Sequence, residues 1–395
     1  MTSTPTELNQ KTRISSIDIV RGIIMVIMAL DHVRDFFHVD APLFNPTDLT
    51  KTHPILFYTR WITHFCAPTF IFLSGISVRL GLQRKTKNEL AMYLLSRGIW
   101  LIIIEQTVFR FFFSFSLQYD MFMFLVFWSI GGSMIVLAAL IYLSPRIIFI
   151  IGLALIFGHN AFDGFRLGFN DPGYGVWAFL MQSGFVPPAM VVPYALIPWL
   201  GIFLAGYGAG TLYLKDFDPQ QRRKILFNTG LAAIALFVVL RAINSYGDLV
   251  PWAVQKNTLF TIMSFMNTTK YPVSLLFTLM TIGPILILLV WLEKTSNKIL
   301  DRASVFGRVP FFYYLMHFLV MHIAALALYL IISGTPFSEL NFSITQTLGG
   351  IPKGFGYSLE WTYVAWAGTV LIMYPLCVWY DRYKTTHKSW WLSYL

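Results

Sequence analysis

Asp18, Arg21, Asp31, His32, Arg34 and Asp35 bracket an unbroken apolar run, Gly22 to Leu30. On a helix of 3.6 residues per turn, Arg21 and His32 stand about three whole turns and roughly 16 Å apart, on nearly one line. Asp35, three residues past His32, falls close to that line. An ionisable group inside a membrane span costs at least about 2.5 kcal/mol, so the line must face protein or water. Histidine has an unperturbed pKa near 6.5, which suits His32 to take up a proton at neutral pH. Asp31 and Asp35 are the carboxylates within reach to orient its ring, and Asp35 is the better placed, one turn along the same face. The plainer alternative is a hydrogen-bonded cluster that only holds helices together.

Other apolar runs carry polar side chains as well. Arg60 to Gly75 reads R-W-I-T-H-F-C-A-P-T-F-I-F-L-S-G and places His64 four residues before Pro68. A later run carries Glu105, Gln106 and Arg110, where an internal charge pair between Glu105 and Arg110 is expected. Another reads F-F-Y-Y-L-M-H-F-L-V-M-H, with His317 four residues after Tyr313 and five before His322. His322 reads as a satisfied core or interface histidine; His317 stands between that and a site role. No two histidines share an i, i+4 spacing on one helix and no thiolate set exists, so no metal site is expected.

The elements that must position these groups follow from composition. Of 395 residues, 56% are hydrophobic and 12% charged, against about 25% charged in soluble domains. With a mean hydropathy of +0.63, this pattern predicts an all-α, polytopic integral membrane bundle. Ten runs are long enough to span about 30 Å of hydrocarbon: 16–37, 61–82, 92–115, 121–143, 146–162, 194–214, 224–244, 272–292, 309–333 and 361–381. The fifth is the shortest. Most of the 29 Lys and Arg residues fall on one side of this alternating order, which places both termini in the cytoplasm. The first run contains Arg21, lacks a small-residue cleavage site and is followed by charge, so it is not expected to be a cleaved signal. Residues 1–14 read as a disordered lead-in, 15–384 as a single transmembrane domain and 385–395 as a short cytoplasmic tail. The outer loops 38–60, 163–193, 245–271 and 334–360 are long, aromatic and poor in charge. Cys66 and Cys377 both lie in apolar runs and suggest no disulfide. The net charge of +10 belongs to cytoplasmic loops rather than to nucleic-acid binding. No internal repeat is visible.

Ser16-Ile17-Asp18 followed by Arg21-Gly22, the Arg21-to-His32 interval and the stretch Pro68 to Gly75 resemble the transmembrane acyltransferases. The resemblance is to the bacterial branch similar to the heparan-α-glucosaminide N-acetyltransferase catalytic domain. Asn267 to Ser274, Phe306 to His322 and the C-terminal W-W-L-S-Y-L look like the same branch. The resemblance implies an acetyl group taken from cytoplasmic acetyl-CoA and delivered across the membrane to a glycan or amino-sugar acceptor. Arg21 and His32 match the arginine and histidine of the wider group's first span. The lysosomal enzyme has an asparagine at the place of His32, an aspartate at that of His64, and a further histidine for which His38 and His53 are the candidates here.

On this reading His32 is the base, with Asp35, Asp31 and His64 completing the catalytic set. Arg21, Arg79, Arg97 and Arg308 are placed by the topology to meet the CoA phosphates at the cytoplasmic mouth. His38, His317 and Tyr313 are candidates for binding the acceptor. The alternative from another class is a transporter or flippase for a small polar or lipid-linked solute, which uses the same intramembrane residue types. A non-catalytic membrane component is the third. A bacterial inner membrane is the expected location. Acetyl-CoA, the acceptor and the bilayer are the expected partners, and the oligomeric state stays open, a homodimer included.

Overall fold

The computed structural model describes residues 15–82, 85–295, 297–387, 389 and 392. The expected lead-in 1–14 and most of the expected tail lie outside them. The molecule is a helical bundle in chain order: α1 Ser15–Phe37, α2 Pro54–Gly81, α3 Lys87–Ser114, α4 Val126–Leu140, α5 Pro145–Phe162 and α6 Leu196–Tyr213. It continues with α7 Pro219–Ile243, α8 Thr258–Met266, α9 Leu275–Leu292, α10 Lys298–Arg308, α11 Pro310–Ser333 and α12 Leu359–Thr386. Eight of these, α2, α3, α5, α6, α7, α9, α11 and α12, are long and apolar enough to cross a membrane. The other two expected runs are helical too. α1 has the length, at 23 residues, but carries Asp18, Arg21, Asp31, Arg34 and Asp35. α4 has the apolarity but only 15 residues.

Sequence chemistry sets the helix starts. His53-Pro54, Ser144-Pro145 and Asp218-Pro219 each pair a capping side chain with a proline at the first helical position. There the missing N–H of proline is harmless and the cap satisfies an otherwise orphaned backbone donor. Thr86 and Glu89 form a capping box at the start of α3. The cap at His53 starts α2 earlier than the apolar run alone indicates. Within α2, Pro68 cannot donate to the carbonyl of His64, and the chain tightens into a 3-10 turn over Thr63–Phe65.

Two expectations are corrected. The fourth run, not the fifth, is the shortest helix, because residues up to Leu125 leave helical geometry to wrap Arg110. Nor do Glu105 and Arg110 form a charge pair. Glu105 accepts the backbone N–H groups of Leu125, Phe127 and Trp128 and so caps α4. Arg110 donates to the carbonyls of Met121, Ser116 and Gln118 and to Asp120. Each ion finds a helix end or a loop backbone to satisfy, which serves a buried charge better than one partner with lone pairs left over.

α1 lies at the centre, packed by α2, α9, α10, α11 and α12. Its contact with α10 is backbone on backbone. A Cβ added at Gly22 would sit 1.9 Å from the carbonyl oxygen of Ala303, and one at Gly307 would sit 1.8 Å from that of Asp18. Outside the helices, Met190–Val192 lies between two other short strands, parallel to Phe122–Met123 and antiparallel to Gly184–Val186.

Candidate active site

α1 faces α11 at the level of His32. The Nδ1 of His32 lies 2.8 Å from the Nε2 of His317. His317 in turn points its Nδ1 at the carbonyl oxygen of Tyr313, one turn back on α11, at 2.9 Å. A carbonyl only accepts, so His317 carries its proton on Nδ1 and, when neutral, offers a lone pair at Nε2. His32 must then donate from Nδ1. Its own Nε2 is left as a lone pair on a ring that lines a cavity of about 160 Å³. The stacked ring of Tyr313, 5.3 Å from that of His317, and the ring of Phe318, 4.3 Å from that of His32, hold both imidazoles in place.

This arrangement corrects one sequence expectation. The orienting group for His32 is His317, not Asp35. The Asp35 carboxylate accepts from Arg34 at 2.7 Å and its side chain is 40% exposed. Arg34, the adjacent residue, captures it, while α11 presents His317 to the opposite nitrogen. Asp31 does lie in the cavity wall, bracketed by Arg34 at 3.3 Å and by Arg60 from α2. Two carboxylates and two guanidinium groups thus form one ionic layer across α1 and α2.

The cavity runs from His32, Asp31 and Tyr194 down to Arg21 and Arg97, along apolar walls that include Met25 and Leu101. Of the four arginines expected at the mouth, Arg21 and Arg97 line it. Arg21 donates to Asp18 at 3.2 Å, to the carbonyl of Gly307 at 3.1 Å and to Ser77 at 3.0 Å, which fixes its guanidinium in place. The other two sit elsewhere: Arg308 pairs with Asp381 at 2.7 Å, and Arg79 lies over the Tyr207 ring.

A second cavity, of about 430 Å³, is lined by Asn45, Arg60, His64, Asn267, Thr269 and Tyr271 among others. His64 therefore faces this cavity rather than that of His32; it is 3% exposed and its Nδ1 has no hydrogen-bond partner. Lys270 lines both cavities. His38 sits apart from both, bridged to Tyr357, with its Nδ1 accepting the Asp40 N–H at 3.3 Å. Burial pushes its pKa below the ordinary histidine value. Tyr313 contributes its carbonyl, while its hydroxyl is buried without a partner. His322 is held on both sides, by the carbonyls of Phe112 and Gly349. Among the described residues no three His, Cys, Asp or Glu side chains gather as metal ligands.

The family model described as heparan-alpha-glucosaminide N-acetyltransferase, catalytic, matches residues 13–246, more than half of the chain. The chain belongs to this family. The matched part of this heparan-alpha-glucosaminide N-acetyltransferase-like protein holds α1 to α7, and with them Arg21, Arg97, Asp31, His32 and Arg60. His317 and Lys270 lie beyond it. No curated protein is significantly similar to the chain. Membership makes it an integral membrane protein of acetyltransferase type.

Lys270 and the pairing of Asp31 with Arg60 escaped the sequence reading. The available signal for Lys270 was a cation placed directly before Tyr-Pro in an outer loop whose other charges are Asp248 and Lys256. Nothing local marked Arg60 as the partner of Asp31, because the two are 29 residues apart on different helices.

Proposed function

We propose that this protein takes an acetyl group from acetyl-CoA at the cytoplasmic face and delivers it to a glycan or amino-sugar acceptor at the outer face of a bacterial cytoplasmic membrane. One observation carries the reading. The chain of hydrogen bonds from the Tyr313 carbonyl through His317 to His32 ends in an imidazole lone pair on the wall of a cavity that has Arg21 and Arg97 at its other end. The roughly 16 Å of rise between Arg21 and His32 matches the reach of an extended pantetheine arm. The excess of Lys and Arg on one side of the bundle supports donor entry from the cytoplasm. The polar cavity beyond Lys270, walled by amides, hydroxyls and cations, suits an acceptor with many hydroxyl groups.

In the proposed step, His32 Nε2 takes the proton of the attacking hydroxyl or amine as it adds to the thioester carbon. The positive charge this places on the imidazole is shared with His317 and lies beside Asp31. His64, in the outer cavity, is placed to bind the acceptor. Arg21 and Arg97 hold phosphate groups through charge-assisted hydrogen bonds.

Binding of CoA, dephospho-CoA and pantetheine to the purified protein in detergent tests the donor site. A charge-assisted hydrogen bond is worth about 1.5–3 kcal/mol, so Arg21→Ala is expected to weaken CoA by roughly 10- to 100-fold and pantetheine far less. An equal loss for both ligands removes Arg21 from the phosphate site and leaves it as the structural partner of Asp18. A wild-type protein that neither binds nor slowly hydrolyses acetyl-CoA overturns the donor altogether.

A further inference from the structure

We propose that Lys270 is a further catalytic residue, whose ammonium meets the thioester oxygen as negative charge builds on it. The inference rests on the acetyl-transfer reading above. Among the described residues, Lys270 is the one that lines both the cavity of His32 and the outer cavity of His64 and Arg60. A donor thioester entering from one side and an acceptor from the other meet where these cavities meet, and that is where the ammonium stands.

The other cations near this point are already engaged. Arg34 and Arg60 share Asp31, and Arg34 also holds Asp35. Arg21 and Arg97 lie at the far end of the inner cavity. Lys270 has no carboxylate within ion-pairing distance among the described residues; it lies 5.1 Å from the Tyr271 ring and within hydrogen-bonding reach of that side chain, with Asp31 in the same cavity wall. A half-buried cation without a direct ion pair is costly to keep. A negative charge that exists only in the transition state gives it a use without weakening the resting enzyme.

The loop is built to hold this residue still. The buried Asp248 carboxylate accepts the Thr269 N–H at 2.8 Å, the Thr269 hydroxyl at 2.7 Å and the Ser274 hydroxyl at 2.7 Å. Arg241, 1% exposed, donates to the carbonyls of Val250, Ser264, Phe265 and Asn267. From α5, the Asn160 amide oxygen accepts the Leu275 N–H, and His159 Nε2 lies 2.8 Å from the Val273 carbonyl. The backbone that carries Lys270 is therefore held from both sides, which limits the reorganisation its ammonium needs to act as an oxyanion donor.

The chemistry balances without any further reactant. The acceptor O or N bonds to the thioester carbon, the carbonyl π pair moves onto oxygen beside the Lys270 ammonium, and the acceptor proton passes to His32 Nε2. Collapse restores the carbonyl and breaks the C–S bond. The thiolate leaves with the proton from His32, giving acetylated acceptor, CoA thiol and neutral imidazole.

Isotope-edited infrared difference spectra of acetyl-CoA labelled at the thioester carbonyl, bound to the full-length protein, test the contact. The slow hydrolysis of the same ligand serves as the rate readout, with water in place of the acceptor. The wild-type carbonyl band is expected to move to lower frequency on binding. Lys270→Met should abolish the movement and lower kcat on the order of 10²–10³, with KM changed little, and Lys270→Arg should keep part of both. Lys270→Leu replaces the Met variant if that fails to accumulate, with the same expectations. A Met or Leu variant that keeps the band shift and the wild-type kcat overturns the role of Lys270 while leaving acetyl transfer intact. A wild-type protein that binds no acetyl-CoA ends both proposals, and that outcome is visible before any variant is made.

Discussion

His32→Ala is expected to lower acetyl transfer by roughly 10²–10⁴ while acetyl-CoA still binds, the range a positioned general base supplies. The expectation follows from the proton order around the ring. The Tyr313 carbonyl fixes the proton of His317, His317 fixes that of His32, and the remaining lone pair belongs to a ring that lines the cavity. Arg21 and Arg97, at the other end of that cavity, are untouched by the change. His317→Ala should cost less than His32→Ala, because the base remains and only its tautomer is freed. Single-turnover kinetics with labelled acetyl-CoA, alongside direct binding, make the comparison. Wild-type turnover by a folded His32→Ala protein would remove His32 from the chemistry and pass the role to His64.

The largest structural effect is expected at Gly22. Its Cα lies against the backbone of α10, where an added Cβ meets the Ala303 carbonyl oxygen at 1.9 Å. No side-chain rotamer relieves that clash, so the helices must part. Overpacking costs typically about 1–3 kcal/mol when side chains can adjust; with backbone on the other side, Gly22→Leu should exceed that range. Parting α1 from α10 also withdraws the Gly307 carbonyl that Arg21 donates to. Thermal unfolding in detergent should show a large drop in Tm, with a smaller drop for Gly22→Ala. A Leu variant as stable as wild type would mean that α1 and α10 do not pack as described.

Much of the bundle was legible because helix periodicity and hydropathy are local. The ten apolar runs emerge as ten helices, and Arg21 and His32 share the wall of one cavity as their eleven-residue spacing indicates. Partners chosen across the bundle were not legible. His32 and His317 are 285 residues apart, and no spacing rule prefers His317 to the nearby Asp35. The nearest charge was the natural choice on one helix, yet Arg34 had the shorter path to Asp35. Glu105 and Arg110 misled for a related reason. Opposite charges in one apolar run look like a pair, but free backbone groups at the start of α4 and in the turn after α3 compete for them and win.

The ionic layer of Asp35, Arg34, Asp31 and Arg60 has an electrical consequence. The inner cavity reaches Asp31 and the other reaches Arg60; under the proposed function these cavities bring the two aqueous phases toward each other. The transmembrane voltage then falls mainly across this thin partition instead of evenly over about 30 Å of hydrocarbon. An elementary charge that crosses 100 mV gains or loses about 2.3 kcal/mol. In the proposed reaction the acceptor proton passes inward to the CoA thiol while an acetyl group passes outward, each formally carrying one positive charge, so the overall transfer moves no net charge. The extent of acetylation in sealed, oriented vesicles should therefore not change with imposed voltage of either polarity. An extent that shifts with voltage would mean that the proton goes back to the side it came from.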